Sequence, residues 1–252
     1  MHSIHSPDSM SSLDDLCENA IRRGLSGVCF TDHIDFDPTQ DAFEYRDRDA
    51  YLADVQRVRN AYAGQLIVKT GAEITYQSEY ASDIRRFLAA CGYDYILGSI
   101  HNLHHAFVAS PEYFVGKSED EAYSLYWRET ASMVASGMFR RIGHFDYIKT
   151  RRPGAYGPFE LTRWQSEIVS ILKQAVSSGA TLEVNTSGIR KGLGEPYPSW
   201  DILGLYREVG GLYVTMGSDS HVASGVGRYF EEVHAELKAM GLTVCGEEIF
   251  ER

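Results

Sequence analysis

Residues 95–101 read Tyr95-Ile96-Leu97-Gly98-Ser99-Ile100-His101: an apolar, strand-forming run that passes through two small residues and delivers an imidazole. The run lacks polar alternation, which suits a strand buried on both faces, as in parallel sheets. The same pattern recurs on either side. Val28-Cys29-Phe30-Thr31 leads into Asp32-His33, and Leu66-Ile67-Val68 runs towards Gly71-Ala72-Glu73. Arg141-Ile142-Gly143 leads into His144-Phe145-Asp146, and Leu212-Tyr213-Val214-Thr215-Met216 into Gly217-Ser218-Asp219-Ser220-His221. A sixth run, Leu182-Glu183-Val184-Asn185, stands between the last two.

Helical patterns separate these strands. Ser12 followed by Asp15 reads as a helix cap, and Leu13, Leu16, Ala20 and Ile21 form an apolar stripe that stops at Gly24. Further helices are expected over residues 47–63, 79–91, 119–137, 160–178, 199–209 and 229–240. Glu119-Asp120-Glu121 opens one of them as a solvated start favoured by the helix dipole. Strict alternation of strand and helix, with a strand stub at residues 2–5, predicts an α/β fold of about seven βα units. A distorted (β/α)7 barrel fits that count better than an open sheet. No internal repeat or linker divides the 252 residues, so one domain is expected over 1–252. No glycine-rich dinucleotide or P-loop motif opens a helix.

Composition narrows the function. Twenty-four basic residues against 35 acidic ones leave a net charge of −11, which opposes nucleic-acid backbones and anionic membranes as partners. No apolar run approaches the ~18–20 residues of a membrane span, and the N-terminus lacks signal-peptide features. Cys17, Cys29, Cys91 and Cys245 are scattered without a Cys-x-x-Cys pair, which fits a reducing cytoplasm better than a disulfide scaffold or a thiolate zinc site.

In a parallel barrel the C-terminal strand ends converge on one face. His33, Glu73, His101, His144, Asp219 and His221 would then meet in one pocket. A lone histidine at a strand end is an ordinary core or loop residue. Five strand ends carrying His, Glu or Asp together are not explained by packing, and imidazole with carboxylate suits Zn²⁺, Mn²⁺ or Fe²⁺. Glycine and serine before these residues would let backbones approach closely. His104 and His105 read as loop residues near the rim, His234 as part of a charged helix, and Asp35 and Asp37 as loop or cap residues.

Thr31-Asp32-His33, Glu73, Gly98-Ser99-Ile100-His101, Gly143-His144 and Gly217-Ser218-Asp219-Ser220-His221 together resemble the ligand series of the polymerase-and-histidinol-phosphatase (PHP) superfamily. Glu183-Val184-Asn185-Thr186-Ser187-Gly188-Ile189-Arg190-Lys191, followed by Gly194-Glu195-Pro196-Tyr197-Pro198, is similar to its histidinol-phosphatase branch. The resemblance implies a distorted (β/α)7 barrel with three divalent ions. His2, Glu73 and Asp219 would hold the first, Glu73, His101 and His144 the second, and Asp8, His33 and His221 the third. It further implies hydrolysis of a small phosphate monoester, L-histidinol phosphate in histidine biosynthesis, by a hydroxide bridging the metals. Another small ester, or a nucleic-acid end, is the alternative within the superfamily. Three divalent ions set against three carboxylates and a hydroxide leave a positive pocket, which suits a dianionic phosphate. Metals lower the pKa of bound water to about 7, and Asp219, or a water it orients, is the expected proton donor. Arg190 is the expected phosphate clamp, with Arg151 or Arg152 as its partner. Asp146 is a candidate for the cationic end of the substrate. Oligomeric state cannot be read.

The family pattern opens with His-x-His. Matching Ser6-Pro7-Asp8-Ser9 to it puts His2 on the second histidine and Asp8 on the later ligand, so the first histidine falls one position before Met1. His5 does not fill the gap, because side chains three apart on a strand face opposite ways. The expectation is that Met1 is an internal methionine and that the first strand is cut short. A chain that does begin here would have one weakened metal position and impaired turnover, or would substitute the Met1 amine, a neutral donor near pH 8.

Overall fold

The computed structural model describes residues 1–43, 47–151, 153–156 and 159–246; the side chains of Arg151 and Ala155 lie outside the description. Its main sheet contains β1 (Gly27–Phe30), β2 (His33–Ile34), β3 (Ile67–Thr75), β4 (Tyr95–Ser99), β7 (Arg141–Ile142), β8 (Thr181–Asn185), β9 (Tyr213–Gly217) and β10 (Thr243–Val244). The order is β1-β3-β4-β7-β8-β9-β10, with β2 beside the outer half of β3. Every pair is parallel. A small antiparallel pair, β5 (Asn102–Leu103) and β6 (Ala106–Phe107), projects after β4. Its turn places His104 and His105 at φ of 51° and 63°.

The connections are helical: α1 (Leu13–Arg22), α2 (Arg48–Ala61), α3 (Ala81–Cys91), α4 (Pro111–Phe114), α5 (Glu119–Ala135), α6 (Gln165–Ser177), α7 (Ser187–Arg190), α8 (Trp200–Glu208) and α9 (Phe230–Ala239). Ser12 caps α1 by accepting from Asp15 N. Ser118 and Glu121 form a reciprocal capping box at the start of α5. The acidic start of α5 is less solvated than expected, because Arg163 pairs with both Glu119 and Asp120.

Burial explains why the strands read as unbroken apolar runs. Ile74, Ile142, Leu182, Val184 and Val214 are all buried, packed in one large core with helix residues such as Trp127, Ile168 and Leu203. A smaller core joins α1, β1, α2 and the start of β3 through Leu16, Phe30, Val55 and Val68. The sheet curls as the expected barrel does, and its path holds seven strands. Among the described residues no pairing joins β10 to β1, so the curl stays open there. Two features depart from the sequence reading. The last strand of the path is β10, which was not anticipated. The strand stub expected at residues 2–5 is absent, because Ile4 and His5 lie in a turn. Residues 1–3 instead bridge two strand ends: Thr31 N donates to Met1 O, and His2 N to Ser220 O. No described helix is long and apolar enough to cross a membrane.

Candidate metal centre

Parallel strands of similar register place their C-terminal ends on one face, and five of the strands bring a candidate ligand there. His33 opens β2, Glu73 lies in β3, and His101 and His144 follow β4 and β7 by two residues. Asp219 and His221 follow β9. The N-terminal segment adds His2 and Asp8. It is pinned by the buried Asp32 carboxylate, which accepts from Ser3 N at 2.5 Å and Ser3 Oγ at 2.9 Å. Ser9 Oγ adds contacts to the carbonyls of His2 and His221 at 3.1 and 3.0 Å.

Glu73 is the hub. Its Oε1 accepts from Ser99 Oγ at 2.5 Å and lies 2.9 Å from His144 Nε2 and 3.5 Å from His101 Nε2. Its Oε2 lies 3.3 Å from His2 Nε2 and 3.4 Å from His33 Nδ1. A side chain at Gly143 would put its Cβ 2.3 Å from Ser99 Oγ, so a glycine there keeps this brace in place. Asp8, half-exposed, reaches His221 Nε2 at 2.9 Å and His33 Nε2 at 3.4 Å. Asp219 Oδ1 lies 3.1 Å from His2 Nε2, while Oδ2 accepts from Ser187 Oγ at 3.1 Å. Contacts at the other ring nitrogens orient two imidazoles: His101 Nδ1 meets Thr75 Oγ1 at 3.0 Å, and His221 Nδ1 meets Asp219 O at 3.1 Å.

Three sets have donor atoms within 4.8 Å of one another: His2, Glu73 and Asp219; His33, Glu73 and His101; and His2, Asp8, His33 and His221. The first is the triad expected for one ion. The third is the expected Asp8, His33 and His221 joined by His2. In the remaining set His33 stands with Glu73 and His101, while His144 Nε2 lies 2.9 Å from both Glu73 Oε1 and His101 Nε2.

The donor set fits divalent cations. His2 stacks on His33 at 4.1 Å and on His221 at 4.2 Å, so protonating all of these rings would set like charges face to face. His101 and His144 point Nε2 at one another, an arrangement that one proton or a shared cation can satisfy. Burial drives the His101 imidazole well below its ordinary pKa. Burial opposes the charge on His33 as well, yet Asp8 and Glu73 carry it up to about 9. Burial also works against the Glu73 and Asp219 carboxylates; the neighbouring imidazoles, and Lys191 for Asp219, hold both well below the usual range. Protons here occupy the place that metal charge would take.

The cluster opens into a cleft of about 300 Å³, whose rim includes Asp35, Gln40, Asp41, Asn102, Phe107 and Tyr147. Three expectations change at this point. Arg190 does not reach into the cleft: its Nη1 donates to Ser218 O at 2.9 Å and its Nη2 to Asp219 O at 2.8 Å. Lys191, the next residue, lines the cleft instead. Asp146 is fully buried and faces Lys149 Nζ at 2.8 Å and Ser199 N at 3.0 Å, away from any substrate. The Met1 amine is engaged elsewhere, donating to Thr31 Oγ1 at 2.9 Å. Arg152 and the Arg151 side chain lie outside the described residues. His5 pairs with Asp54 at 3.2 Å, and His105 with Asp37 at 2.8 Å.

Sequence reasoning passed over Glu183, a carboxylate buried below the cluster. Its Oε2 accepts from His144 N at 3.4 Å and Asn185 Nδ2 at 3.2 Å, and burial beside Glu73 pushes it up to about 7. A Cβ on Gly217 would fall 2.0 Å from its Oε1, which explains the glycine at the end of β9. The only signal was a charged residue inside an otherwise apolar strand.

A family model described as "PHP domain" matches residues 1–187. The "Probable histidinol-phosphatase" of Deinococcus radiodurans is 31% identical over 229 residues, covering 88% of this chain and 85% of that protein. The "Histidinol-phosphatase" of Bacillus subtilis is 26% identical over 260 residues, covering 90% and 95%. In fold, the chain is similar to the histidinol phosphate phosphatase of Lactococcus lactis, crystallised with zinc, L-histidinol and phosphate. The two share a TM-score of 0.88 at 24% identity, over 97% of this chain and 93% of that one.

Proposed function

Since the chain belongs to the PHP domain family, we propose that it is a metal-dependent phosphatase that hydrolyses L-histidinol phosphate to L-histidinol and phosphate. One observation supports the chemistry above all: five imidazoles and three carboxylates, from five strands and the N-terminal segment, converge on one cleft, with Glu73 touching four of the imidazoles. We assign one ion to His2, Glu73 and Asp219, a second to Glu73, His101 and His144, and a third to Asp8, His33 and His221. Zinc, manganese and iron all suit imidazole and carboxylate donors. Bound divalent ions would acidify water and offset the charge that builds on the phosphoryl oxygens.

The chain's own groups do the rest. Ser99 and the surrounding imidazoles keep Glu73 ionised and aimed. Asp219, held ionised by His2 and Lys191 and braced by Ser187, orients the water that protonates the departing alkoxide. At the rim, Asp35 and Asp41 offer negative charge to the substrate's ammonium, and Phe107 and Tyr147 offer ring faces to its imidazole. The free thiols of Cys17, Cys29 and Cys91 suit a reducing cytoplasm.

The test is phosphate release by the purified protein, with bound metal counted by elemental analysis. Release from L-histidinol phosphate should far outpace release from nucleotides or p-nitrophenyl phosphate. No release after Mn²⁺ or Zn²⁺ is supplied would overturn the reading.

A further inference from the structure

Two neighbouring cations, Arg190 and Lys191, flank the cleft, and they face different ways. One residue along a helix turns a side chain by about 100°, and Lys191 is the residue that closes α7. We infer that Lys191 is the side chain that meets the phosphate dianion, and that Arg190 is a positioning residue for Asp219. The inference rests on the phosphomonoesterase reading above.

Arg190 spends both ends of its guanidinium on consecutive carbonyls, Ser218 O and Asp219 O. Asp219 sits at φ of 46°, a left-handed conformation uncommon for a non-glycine residue and one that neighbouring contacts help to hold. The planar fork is suited to that task, because it clamps two oxygens in one plane. It fixes the backbone from which Asp219 points its carboxylate at His2.

Lys191 is placed otherwise. Among the described residues it is the only lysine or arginine lining the cleft. Its ammonium makes no hydrogen bond to a described residue; the nearest carboxylate oxygen, Asp219 Oδ2, is 3.7 Å away. It rides 4.9 Å above the Tyr147 ring and 5.8 Å from the Tyr197 ring, faces that attract a cation without consuming its protons. All three protons thus remain for an anion in the cleft. The same charge shields an incoming dianion from the Asp219 carboxylate.

The experiment compares Lys191→Met, Lys191→Arg and Arg190→Lys as zinc-loaded proteins. Binding of inorganic phosphate is read by calorimetry, KM and kcat on L-histidinol phosphate by steady-state assay, and metal by elemental analysis. Lys191→Met should weaken phosphate binding and raise KM by about 10- to 100-fold with metal content unchanged, and Lys191→Arg should recover most of the loss. Arg190→Lys, which cannot span both carbonyls, should lower kcat and metal occupancy more than it weakens phosphate binding. The reverse pattern, with phosphate affinity lost at Arg190 and untouched at Lys191, would overturn the inference. So would a wild-type protein that binds no phosphate. If the wild type fails on L-histidinol phosphate while Lys191→Met still weakens phosphate binding, the substrate assignment falls and the role of Lys191 stands.

Discussion

Two buried clusters of charge lie behind the same sheet face, and they are satisfied to different degrees. Lys149 Nζ meets Asp146 Oδ2 at 2.8 Å, Glu195 Oε1 at 2.8 Å and Pro196 O at 3.2 Å, above the Tyr197 ring. Its three protons find three acceptors. Around Glu73, by contrast, imidazole nitrogens crowd one carboxylate, two of them oppose each other at 2.9 Å, and three rings stack. Both clusters are buried and both contain acids. Burial of charge therefore does not mark a site by itself. What separates the two is that the Lys149 ammonium finds an acceptor for each of its protons among protein atoms, while the other cluster holds an excess of donor nitrogens that protons or added cations can use.

The largest expected effect lies at the hub. Glu73→Gln should lower kcat/KM by about 10³-fold or more and leave fewer bound ions by elemental analysis. Retained activity and metal would show that the two clusters do not differ in kind. Lys149→Met should act on stability instead, costing about 3–5 kcal/mol in urea unfolding, because it strands Asp146 in the interior. Metal content and kcat of the folded variant should stay at wild-type levels; a joint loss would mean that the clusters are one unit.

Removing metal sharpens the comparison further. His33 is carried from its ordinary 6.5 up to about 9. A raised imidazole contributes its stability fully below pH 6.5 and loses it as pH climbs through about 9. Chelator-treated protein should therefore lose Tm across that window, and returning zinc should flatten the slope, since ligating imidazoles carry no proton there. A flat profile without metal would contradict the view that protons stand in for ions. The smallest effect belongs to the same chemistry in water. His105, 55% exposed, pairs with Asp37, and His105→Gln should leave the urea unfolding midpoint close to the wild-type value. A larger loss would mean that exposure is not what separates this pair from the cluster.

Most of the architecture could be read before the structure. Strands buried on both faces announce themselves as apolar runs, and α5 and α8 end within two residues of expectation. What escaped were elements too short to carry a period: β5, β6, α4, α7 and β10. The candidate ligands His33, Glu73, His101, His144, Asp219 and His221 were legible because each lies at or near a strand end, where sequence position fixes direction; His2 and Asp8 lie in an N-terminal segment that forms no strand. Arg190 and Lys191 were not, because they sit at the end of a single helical turn, where adjacent residues differ by a rotation that no pattern records. Asp146 misled for a related reason: two residues past His144 the chain enters a 3-10 turn, and its carboxylate swings back into the core.

His2 and Asp219 lie 217 positions apart, and the backbone of His2 is bonded to that of Ser220. During synthesis His2 is therefore made 217 residues ahead of Asp219. The proposed Glu73, His101 and His144 set is whole once His144 is made, whereas the two sets that use Asp219 or His221 would form only after long-range pairing, so ion capture at those two cannot seed the fold. Full occupancy would then record completed folding: a chain that stalls before Asp219 lacks partners for two of the three proposed ions.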